Sequence, residues 1–265
     1  MAFSVTASTP NLLRLAAPGP ACRGNTACMN DLLLCELHAH TTWSDGYLTL
    51  PELVDLYGRS GFDVLCVTDH TVRLDDPMPS AVDSWTWPAY VTAVCSEAER
   101  ALAAYGLIVI PGLELSDNHE DPDLAAHALA LGLERFVSVE AGIAPALEAA
   151  NDQNAAVIAA HPYSDADWTP LRPTRRIWRE HETLRGLIHR YELFNRKETF
   201  GWIAAADLPP VATGDVHRAE HLTSWKTLLR CERDAEAVVA HLRSRARVFL
   251  APFALERPAE LPIAA

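Results

Sequence analysis

The chain carries the stretch LLLCELHAHTTWSDG at residues 32–46. Its first part is a short apolar run that is typical of a buried strand. Two histidines, His38 and His40, follow that run and are separated by a single residue. In an extended backbone, side chains with this spacing lie on the same face. The stretch therefore predicts a strand that ends in two imidazoles able to bind one metal ion.

Similar apolar runs recur along the chain and alternate with helical patterns. The sequence predicts strands at 32–37, 63–68, 107–111, 127–131, 156–160, 187–194, 210–213 and 247–250. It predicts helices at 51–60, 89–105, 140–154, within 175–184, at 200–206 and at 234–244. Short β-rich runs separated by helical segments favour βα units around a parallel sheet. Roughly seven or eight such units favour an α/β barrel over an open sheet.

The composition excludes several classes of protein. Of the 265 residues, 49% are hydrophobic and 22% are charged, which excludes disorder over most of the length. No apolar run approaches the ~20 residues that cross a bilayer, so an integral membrane protein is excluded. The formal charge of −13 disfavours long nucleic acids as partners. Six cysteines without CxxC spacing indicate buried thiols in a reducing compartment, and we expect a cytoplasmic protein.

The domain organisation is predicted to be simple. Residues 1–30 contain no acidic side chain and are expected to form a loose N-terminal extension, with an organelle transit segment as the alternative. Residues 31–255 are expected to form a single domain, followed by a C-terminal tail at 256–265.

Most side chains of the metal-ligand type come directly after predicted strands. His38 and His40 follow the first strand, Asp69 and His70 the second, Glu114 the third, His161 the fifth, and Asp215 and His217 the seventh. In an α/β barrel the C-terminal ends of the strands form one rim, so we expect these side chains to converge there. His127 is the exception, because it begins its predicted strand.

The candidate metal ligands form a mixed set of imidazoles and carboxylates. They are His38, His40, Asp45, His70, Glu114, His127, His161, Asp215 and His217. Such a mixture favours Zn, Mn or Fe over Mg or Ca. The set exceeds the roughly three protein ligands of a catalytic zinc ion, so two or three divalent ions are predicted. The absence of cysteine from the set argues against a closed structural zinc site.

These residues stand in blocks that resemble the PHP family, the polymerase and histidinol phosphatase superfamily of metal-dependent phosphoesterases. The blocks are ELHAHTTWSDG at 36–46, VTDHT at 67–71, PGLE at 111–114, HALALG at 127–132, AHP at 160–162 and GDVH at 214–217. The resemblance implies a distorted (β/α)7 TIM-like barrel. One block departs from the family pattern, which usually has Gly-Ser before the aspartate, whereas Thr213 and Gly214 precede Asp215 here.

The resemblance also implies how the ligands are shared. His38, His40, Glu114 and Asp215 would hold one ion; Glu114 would bridge to a second ion completed by His127 and His161; Asp45, His70 and His217 would hold a third. Among these residues, Glu114, Asp215 and His70 are the predicted catalytic residues.

The chemistry expected of this site is hydrolysis of a small phosphate monoester, nucleotide-like or histidinol-phosphate-like. The ions would form a local positive focus on an acidic protein, and a bridging hydroxide would attack phosphorus. Arg73, Arg196 and Arg218 are the candidate phosphate-binding residues. His119, in the loop after Glu114, is the candidate for proton transfer among the remaining histidines.

Other functions stay open at this point. They are a nuclease or 3′-phosphatase acting on bis-phosphonucleotides or short oligonucleotides, a metal-dependent C–N or C–O hydrolase, and a non-catalytic metal-binding module.

Two further stretches have ordinary structural interpretations. The arginines between residues 172 and 190, interleaved with Glu180, Glu182 and Glu192, are expected to form an exposed charged helix and its flanks. The stretch from Thr223 to Thr227 is expected to pack the C-terminal region, with substrate contact as the alternative.

Overall fold

The structure, a computed structural model, describes residues 32–167, 169 and 173–254. The expected N-terminal extension (1–30) and C-terminal tail (256–265) lie outside the described residues, and the single domain over 31–255 stays a prediction. Among the helices of the described ranges, none combines the length and apolar character needed to cross a membrane.

The described residues form eleven strands, joined by helices or by loops. The strands are β1 (Leu33–Glu36), β2 (Val64–Val67), β3 (His70–Thr71), β4 (Ile108–Asp117), β5 (Ala126–Leu131), β6 (Ala156–Ala159), β7 (Arg190–Asn195), β8 (Glu198–Thr199), β9 (Pro210–Thr213), β10 (Trp225–Leu229) and β11 (Phe249–Pro252). All eight predicted strands are present; β9 has the predicted bounds, and the other seven differ at one or both ends. Sequence analysis did not predict β3, β8 and β10.

Two of the described helices begin at capping contacts. The helices are α1 (Leu50–Arg59), α2 (Trp87–Tyr105), α3 (Ile143–Asn151), α4 (Arg176–Arg179), α5 (His181–Leu184), α6 (Gly201–Ala205) and α7 (Ala235–Arg243), with a 3₁₀ turn at Ala219–Leu222. At the start of α1, the Thr49 backbone N–H donates to Glu52 at 2.8 Å, which satisfies an otherwise unpaired helix donor. At the start of α7, the Asp234 carboxylate accepts from the Ala237 N–H at 2.8 Å.

The strands form one mixed, curled sheet. Its order is β11-β10-β1-β2-β4-β5-β6-β7-β8, with β3 also on β4 and β9 also on β7. Within it, β1, β2 and β4 are parallel, and so are β6, β7 and β9. The expected parallel arrangement holds for these two groups of strands, but β5 runs antiparallel to both β4 and β6. A loop joins β4 to β5 with no helix between them, and such a connection returns the chain in the opposite direction. The finer expectation of a distorted (β/α)7 barrel stays a prediction.

The two ends of the curled sheet approach each other beside the first motif. His40 N–H donates to Val216 C=O at 2.8 Å, and Val216 N–H donates to His38 C=O at 3.0 Å. Between β9 and β10, the Thr227 hydroxyl accepts from the Ala212 N–H at 2.9 Å and donates to the Ala212 C=O at 2.8 Å. These contacts bring the segments after β1 and β9 side by side.

The two faces of the sheet carry different parts of the core. On the inner face, Cys35, Ile110 and Leu129 belong to one cluster with Val239 and Leu242 of α7. The outer face packs beneath helices α1, α2 and α3. Because alternate strand residues share a face, the inner row of β4 that begins at Ile108 continues to Glu114 near its C-terminal end. The rim above the apolar inner core is therefore where polar side chains can gather.

The charged stretch at residues 173–192 corrects one expectation, while Arg172 lies outside the described residues. Its middle forms the two short helices α4 and α5, but Arg190 and Glu192 are only 2% and 0% exposed in β7. The Arg190 guanidinium donates to the carbonyl groups of Leu242, His241, Ser244 and Ala246, at 2.7–3.3 Å. Both charged residues are thus internal because neighbouring groups satisfy them.

Candidate metal centre

All nine candidate ligands lie together at the rim of the sheet. Their ligand atoms form four overlapping groups, each within 4.8 Å: His40, Asp45, His70 and His217; His38, Glu114 and His161; His38, His40 and Asp215; and His70, Glu114 and His127. Side chains from remote segments of the chain therefore meet as the sequence predicts. Their role as metal ligands stays a prediction.

Glu114 is at the centre of the cluster and is fully buried. Its Oε1 atom lies 2.9 Å from His127 Nδ1 and 3.0 Å from His161 Nε2. Its Oε2 atom lies 3.1 Å from both His38 Nε2 and His70 Nδ1. The two oxygens of one carboxylate thus face two separate sets of imidazoles, an arrangement that suits a carboxylate shared between two cations.

His40 supplies the test of whether a cation fits. Its Nε2 atom is buried and has no hydrogen-bond partner among the described residues. The atom lies 3.3 Å from Glu114 Oε2 and 3.5 Å from Asp215 Oδ1. A buried polar atom without a partner is rare in proteins. Because this atom faces two carboxylate oxygens, the residues present fit a divalent cation there.

Asp45 lies at the outer side of the cluster. Its Oδ1 is 3.6 Å from His70 Nε2, and its Oδ2 is 3.1 Å from His217 Nε2. The loop that carries Asp45 is tight, because a Cβ atom on Gly46 would lie 2.5 Å from the His40 carbonyl group. Glycine therefore allows the close approach that turns Asp45 toward the two imidazoles.

Asp69, noted from sequence as a ligand-type residue, arranges this loop instead. Its carboxylate accepts from the Thr41 N–H at 2.8 Å, the Thr41 hydroxyl at 2.9 Å and the Ser44 hydroxyl at 2.7 Å. Asp69 belongs to none of the four ligand groups of the described residues. It acts by holding the segment between His40 and Asp45.

The direction of β5 explains why His127 lies at the site although it stands near the start of its strand. Because β5 is antiparallel to β4, Ser116 near the end of β4 pairs with His127 at the start of β5. The start of an antiparallel strand and the end of its neighbour lie at the same edge of the sheet. The second ring nitrogen of His127, Nε2, lies 2.9 Å from Asn118 Oδ1, which holds the ring in place.

Three non-glycine residues at the site have left-handed backbones. The φ angles are 28° at His161, 42° at Asp215 and 49° at Arg196. Each such conformation costs of order 1–3 kcal/mol and persists only where the surroundings enforce it. Arg196 and Asp215 are also bonded to each other, with 2.5 Å between Nη2 and Oδ2.

The charges of the cluster suit cation binding at neutral pH. Burial alone would raise the pKa of Glu114, but the imidazoles of His70, His38 and His127 outweigh it and hold that pKa well below its ordinary value. Burial lowers the pKa of His70 to about 3 despite nearby carboxylates. Burial would also lower the pKa of His40, but the neighbouring carboxylates outweigh it and raise that pKa to about 9. A cation that binds His40 would therefore displace a proton from it.

Glu192 is a residue of this site that sequence analysis missed. Its Oε1 lies 2.8 Å from His38 Nδ1 and accepts from the Thr213 hydroxyl at 2.7 Å. Its Oε2 accepts from the His161 N–H at 2.6 Å and from the Asn195 amide at 2.8 Å. A carboxylate behind a ligating histidine orients the ring and raises its basicity. The available signal was its place inside a predicted strand, where a charged residue needs a partner.

A cavity of about 1040 Å³ opens over the cluster. Its lining includes Arg73, Arg196 and His119. Arg73 is held by Asp117, with 2.8 Å between Nη1 and Oδ1. Arg218 is not in this lining; its guanidinium stacks 3.9 Å from the ring centre of Tyr47. The structure therefore brings two of the three candidate phosphate-binding arginines to the site.

Comparison with known proteins agrees with this architecture. The sequence matches no protein-family model and no curated protein. The structure is similar to a two-domain protein from Bacteroides vulgatus that contains a predicted PHP-like metal-dependent phosphoesterase, with a TM-score of 0.60 and 22% identity over 88% of this chain and 69% of that chain.

Two further solved structures are less similar. An amidohydrolase from Chromobacterium violaceum has a TM-score of 0.49 and 14% identity over 69% of this chain and 87% of that chain. PsfC from Pseudomonas syringae has a TM-score of 0.48 and 15% identity over 76% and 83%. The first similarity confirms the resemblance at the level of the fold.

Proposed function

We propose that this protein is a metal-dependent hydrolase that cleaves small phosphate monoesters. The observation that carries the proposal is the position of Glu114, whose two oxygens face separate groups of imidazoles. The unpartnered Nε2 of His40 supports it. So does the similarity in fold to a protein that contains a predicted PHP-like metal-dependent phosphoesterase.

The centre would hold two or three ions of Zn, Mn or Fe. The proposed sets are His38, His40, Glu114 and Asp215 for one ion, Glu114, His127 and His161 for a second, and Asp45, His70 and His217 for a third. When bound, such ions neutralise phosphate oxygens and lower the pKa of a water molecule. Glu114 and Asp215 are suited to hold them, since the pKa of each carboxyl lies well below its ordinary value.

Basic side chains of the cavity would bind the phosphate group. Arg196 is anchored through Nη2 on Asp215, while its buried Nε has no hydrogen-bond partner among the described residues. That guanidinium could donate to a phosphate oxygen without giving up its anchor. Arg73, fixed by Asp117, is the second proposed donor, because both guanidiniums belong to the cavity lining. Fixed, charged donors of this kind give strong and directional phosphate contacts.

The four cysteines of the described residues are Cys35, Cys66, Cys95 and Cys231, and all are unpaired in the structure. Burial raises the pKa of the Cys66 thiol above its ordinary value, which keeps it protonated and unreactive. These features support the proposal that the reaction takes place in the cytoplasm.

A hydrolysis screen tests the proposal. Protein reconstituted separately with Mn²⁺, Zn²⁺ and Fe²⁺ is assayed against phosphate monoesters, bis-phosphonucleotides, short oligonucleotides, and amides and lactones. Release of phosphate from small monoesters is the expected result. Hydrolysis confined to bis-phosphonucleotides or oligonucleotides would instead identify a 3′-phosphatase or nuclease, and hydrolysis confined to amides or lactones a C–N or C–O hydrolase. Bound metal with no hydrolysis in any arm would identify a non-catalytic module.

A further inference from the structure

We propose that a buried ion pair between Glu36 and Lys226 is a positioning device for the metal centre. Both side chains are fully buried, and the Lys226 ammonium donates directly to Glu36 Oε2. The pair lies between the sheet and α1, close to Tyr57 and Phe62. None of the described ligand groups includes either residue. The inference rests on the proposed metal centre and assigns a role to residues behind it.

One oxygen of Glu36 connects the two segments that carry the ligands. Its Oε1 accepts from the Gly214 N–H at 2.7 Å, directly before Asp215. The same oxygen accepts from the backbone N–H groups of Leu37 at 3.1 Å and His38 at 3.2 Å. The segments meet where the ends of the curled sheet approach each other. This carboxylate oxygen therefore links the segments of His38 and Asp215, beside the two backbone hydrogen bonds that Val216 makes with His38 and His40.

The other oxygen of Glu36 is held from behind. Its Oε2 accepts from the Tyr57 hydroxyl at 2.9 Å and from the Lys226 ammonium. Lys226 Nζ also donates to the Ser224 hydroxyl at 2.7 Å, and Ser224 belongs to the cavity lining. The carboxylate is thus fixed by donors on both oxygens and cannot turn without breaking several hydrogen bonds.

The glycine that departs from the family pattern belongs to the same device. A Cβ atom on Gly214 would meet Glu36 Oε2 and lie 2.6 Å from Lys226 Nζ. The serine that usually stands at this position would therefore collide with the ion pair. Gly214 leaves room for Glu36 to reach the backbone of the segment that carries Asp215.

A buried ion pair is a poor source of stability, since an apolar pair of similar volume often stabilises a fold as well or better. A charged carboxylate does, however, accept several short, directional hydrogen bonds. The ammonium of Lys226 compensates its charge, so the carboxylate can bind three backbone N–H groups at the point where ligand geometry is set. These contacts favour a positioning role over a purely stabilising one.

The test measures affinity for Mn²⁺ alone, by isothermal titration calorimetry, in the full chain and four variants. In Glu36→Gln, the amide N–H₂ group must face either the Gly214 N–H or the Lys226 ammonium, so one of these two contacts is lost and the carboxylate no longer links them. Lys226→Met removes the compensating charge at similar length. Both are expected to weaken Mn²⁺ binding by roughly 10- to 100-fold, the usual effect of an outer residue on a metal site. Tyr57→Phe removes one hydroxyl and is expected to cause a smaller loss.

Arg190→Met is the matched control, because it also removes a buried charge that binds backbone groups, but near the end of α7. It is expected to lower the urea midpoint and leave Mn²⁺ affinity unchanged. Wild-type affinity in folded Glu36→Gln or Lys226→Met would overturn the positioning role. If both variants fail to fold, wild-type affinity in Tyr57→Phe would overturn it.

The outcomes separate this inference from the proposed function. A wild-type chain that binds neither Mn²⁺ nor Zn²⁺ would overturn the metal centre itself, and the positioning role with it. A wild-type chain that binds Mn²⁺ but hydrolyses no phosphate ester would overturn only the proposed reaction. In that case the affinities of the variants still decide the role of Glu36 and Lys226.

Discussion

Nδ1 of His38 lies 2.8 Å from Oε1 of Glu192, and neither side chain is exposed. The other ring nitrogen of His38, Nε2, lies 3.1 Å from Glu114 Oε2. The imidazole therefore stands between an outer carboxylate and the central one. The contact with Glu192 determines which nitrogen faces the centre, because the partner of one ring nitrogen fixes the role of the other.

Glu192→Gln should weaken metal binding without removing a ligand. We expect affinity for Mn²⁺ to fall by roughly 10- to 100-fold, because the amide is a weaker partner for His38 Nδ1. Calorimetric titration of the folded variant measures the change. Glu182→Gln, at an exposed position, is the matched control and should bind as the wild type does. Equal affinity in the two variants would contradict the outer role of Glu192.

Glu114→Gln should remove both metal and activity. The neutral amide no longer offers an anionic oxygen to each group of imidazoles, so fewer ions per chain should remain after reconstitution. The kcat should fall by more than roughly 100-fold, the upper limit for residues that only hydrogen-bond to a metal ligand. Elemental analysis and a phosphate-release assay on the same samples check this prediction. A variant with full metal content and full activity would show that Glu114 does not bridge.

Arg196→Asn should reduce kcat/KM for a phosphate monoester. A hydrogen bond to a charged group contributes about 1.5–3 kcal/mol, which corresponds to roughly 10- to 100-fold in rate. Asparagine tolerates the left-handed backbone at this position. Because Arg196 also contacts Asp215, metal content is measured in parallel.

Arg218→Asn removes the same charge outside the cavity lining. Its kcat/KM should equal that of the wild type. A larger loss of kcat/KM in this variant than in Arg196→Asn would show that Arg218, and not Arg196, binds the phosphate group.

His189→Asn should flatten the pH dependence of stability. Burial, with the charges of Arg243 and Arg190, lowers the pKa of His189 to about 4, and its Nδ1 accepts the Val157 N–H at 3.0 Å. The unfolded chain has the ordinary value of about 6.5, so it binds the proton more strongly. The contribution to stability is full above pH ~6.5 and declines as pH falls toward 4.

The measurement is urea unfolding of the metal-free proteins at pH 7 and pH 5. The wild type should lose about 1 kcal/mol more than the variant over this interval, after allowance for the partial exposure of His189. Asparagine offers an oxygen to the Val157 N–H and does not titrate. Parallel losses in the two proteins would show that His189 is not the group responsible.

The convergence of the candidate ligands was predictable, because local sequence shows that most of them come directly after an apolar run that forms a strand. His38 and Glu114 follow apolar runs, and the ends of such runs meet at one edge of a sheet. The position of His127 fitted this rule less well, because the rule assumes parallel strands. The antiparallel direction of β5 depends on a connection without a helix, and sequence analysis did not infer strand direction from that loop.

The residues that lie behind the candidate ligands, Glu192 and Lys226, were not predictable in the same way. Glu192 stands in a stretch rich in arginine and glutamate, and its burial depends on partners from other segments, such as Thr213 and Asn195. Lys226 follows a tryptophan in a short stretch without a helical or strand period strong enough to identify β10. Charge alone suggests exposure, and only the fold shows that these two side chains have buried partners.

The left-handed backbones of His161 and Asp215 lower the stability of the folded chain, because each costs conformational energy. A sequence chosen for stability alone would carry glycine at both positions, where the backbone strain would vanish. The imidazole and the carboxylate stand there instead, so the chain gives up part of its attainable stability to keep two reactive groups facing inward. Replacing His161 or Asp215 by glycine to raise thermal stability would therefore remove an imidazole or a carboxylate from the cluster.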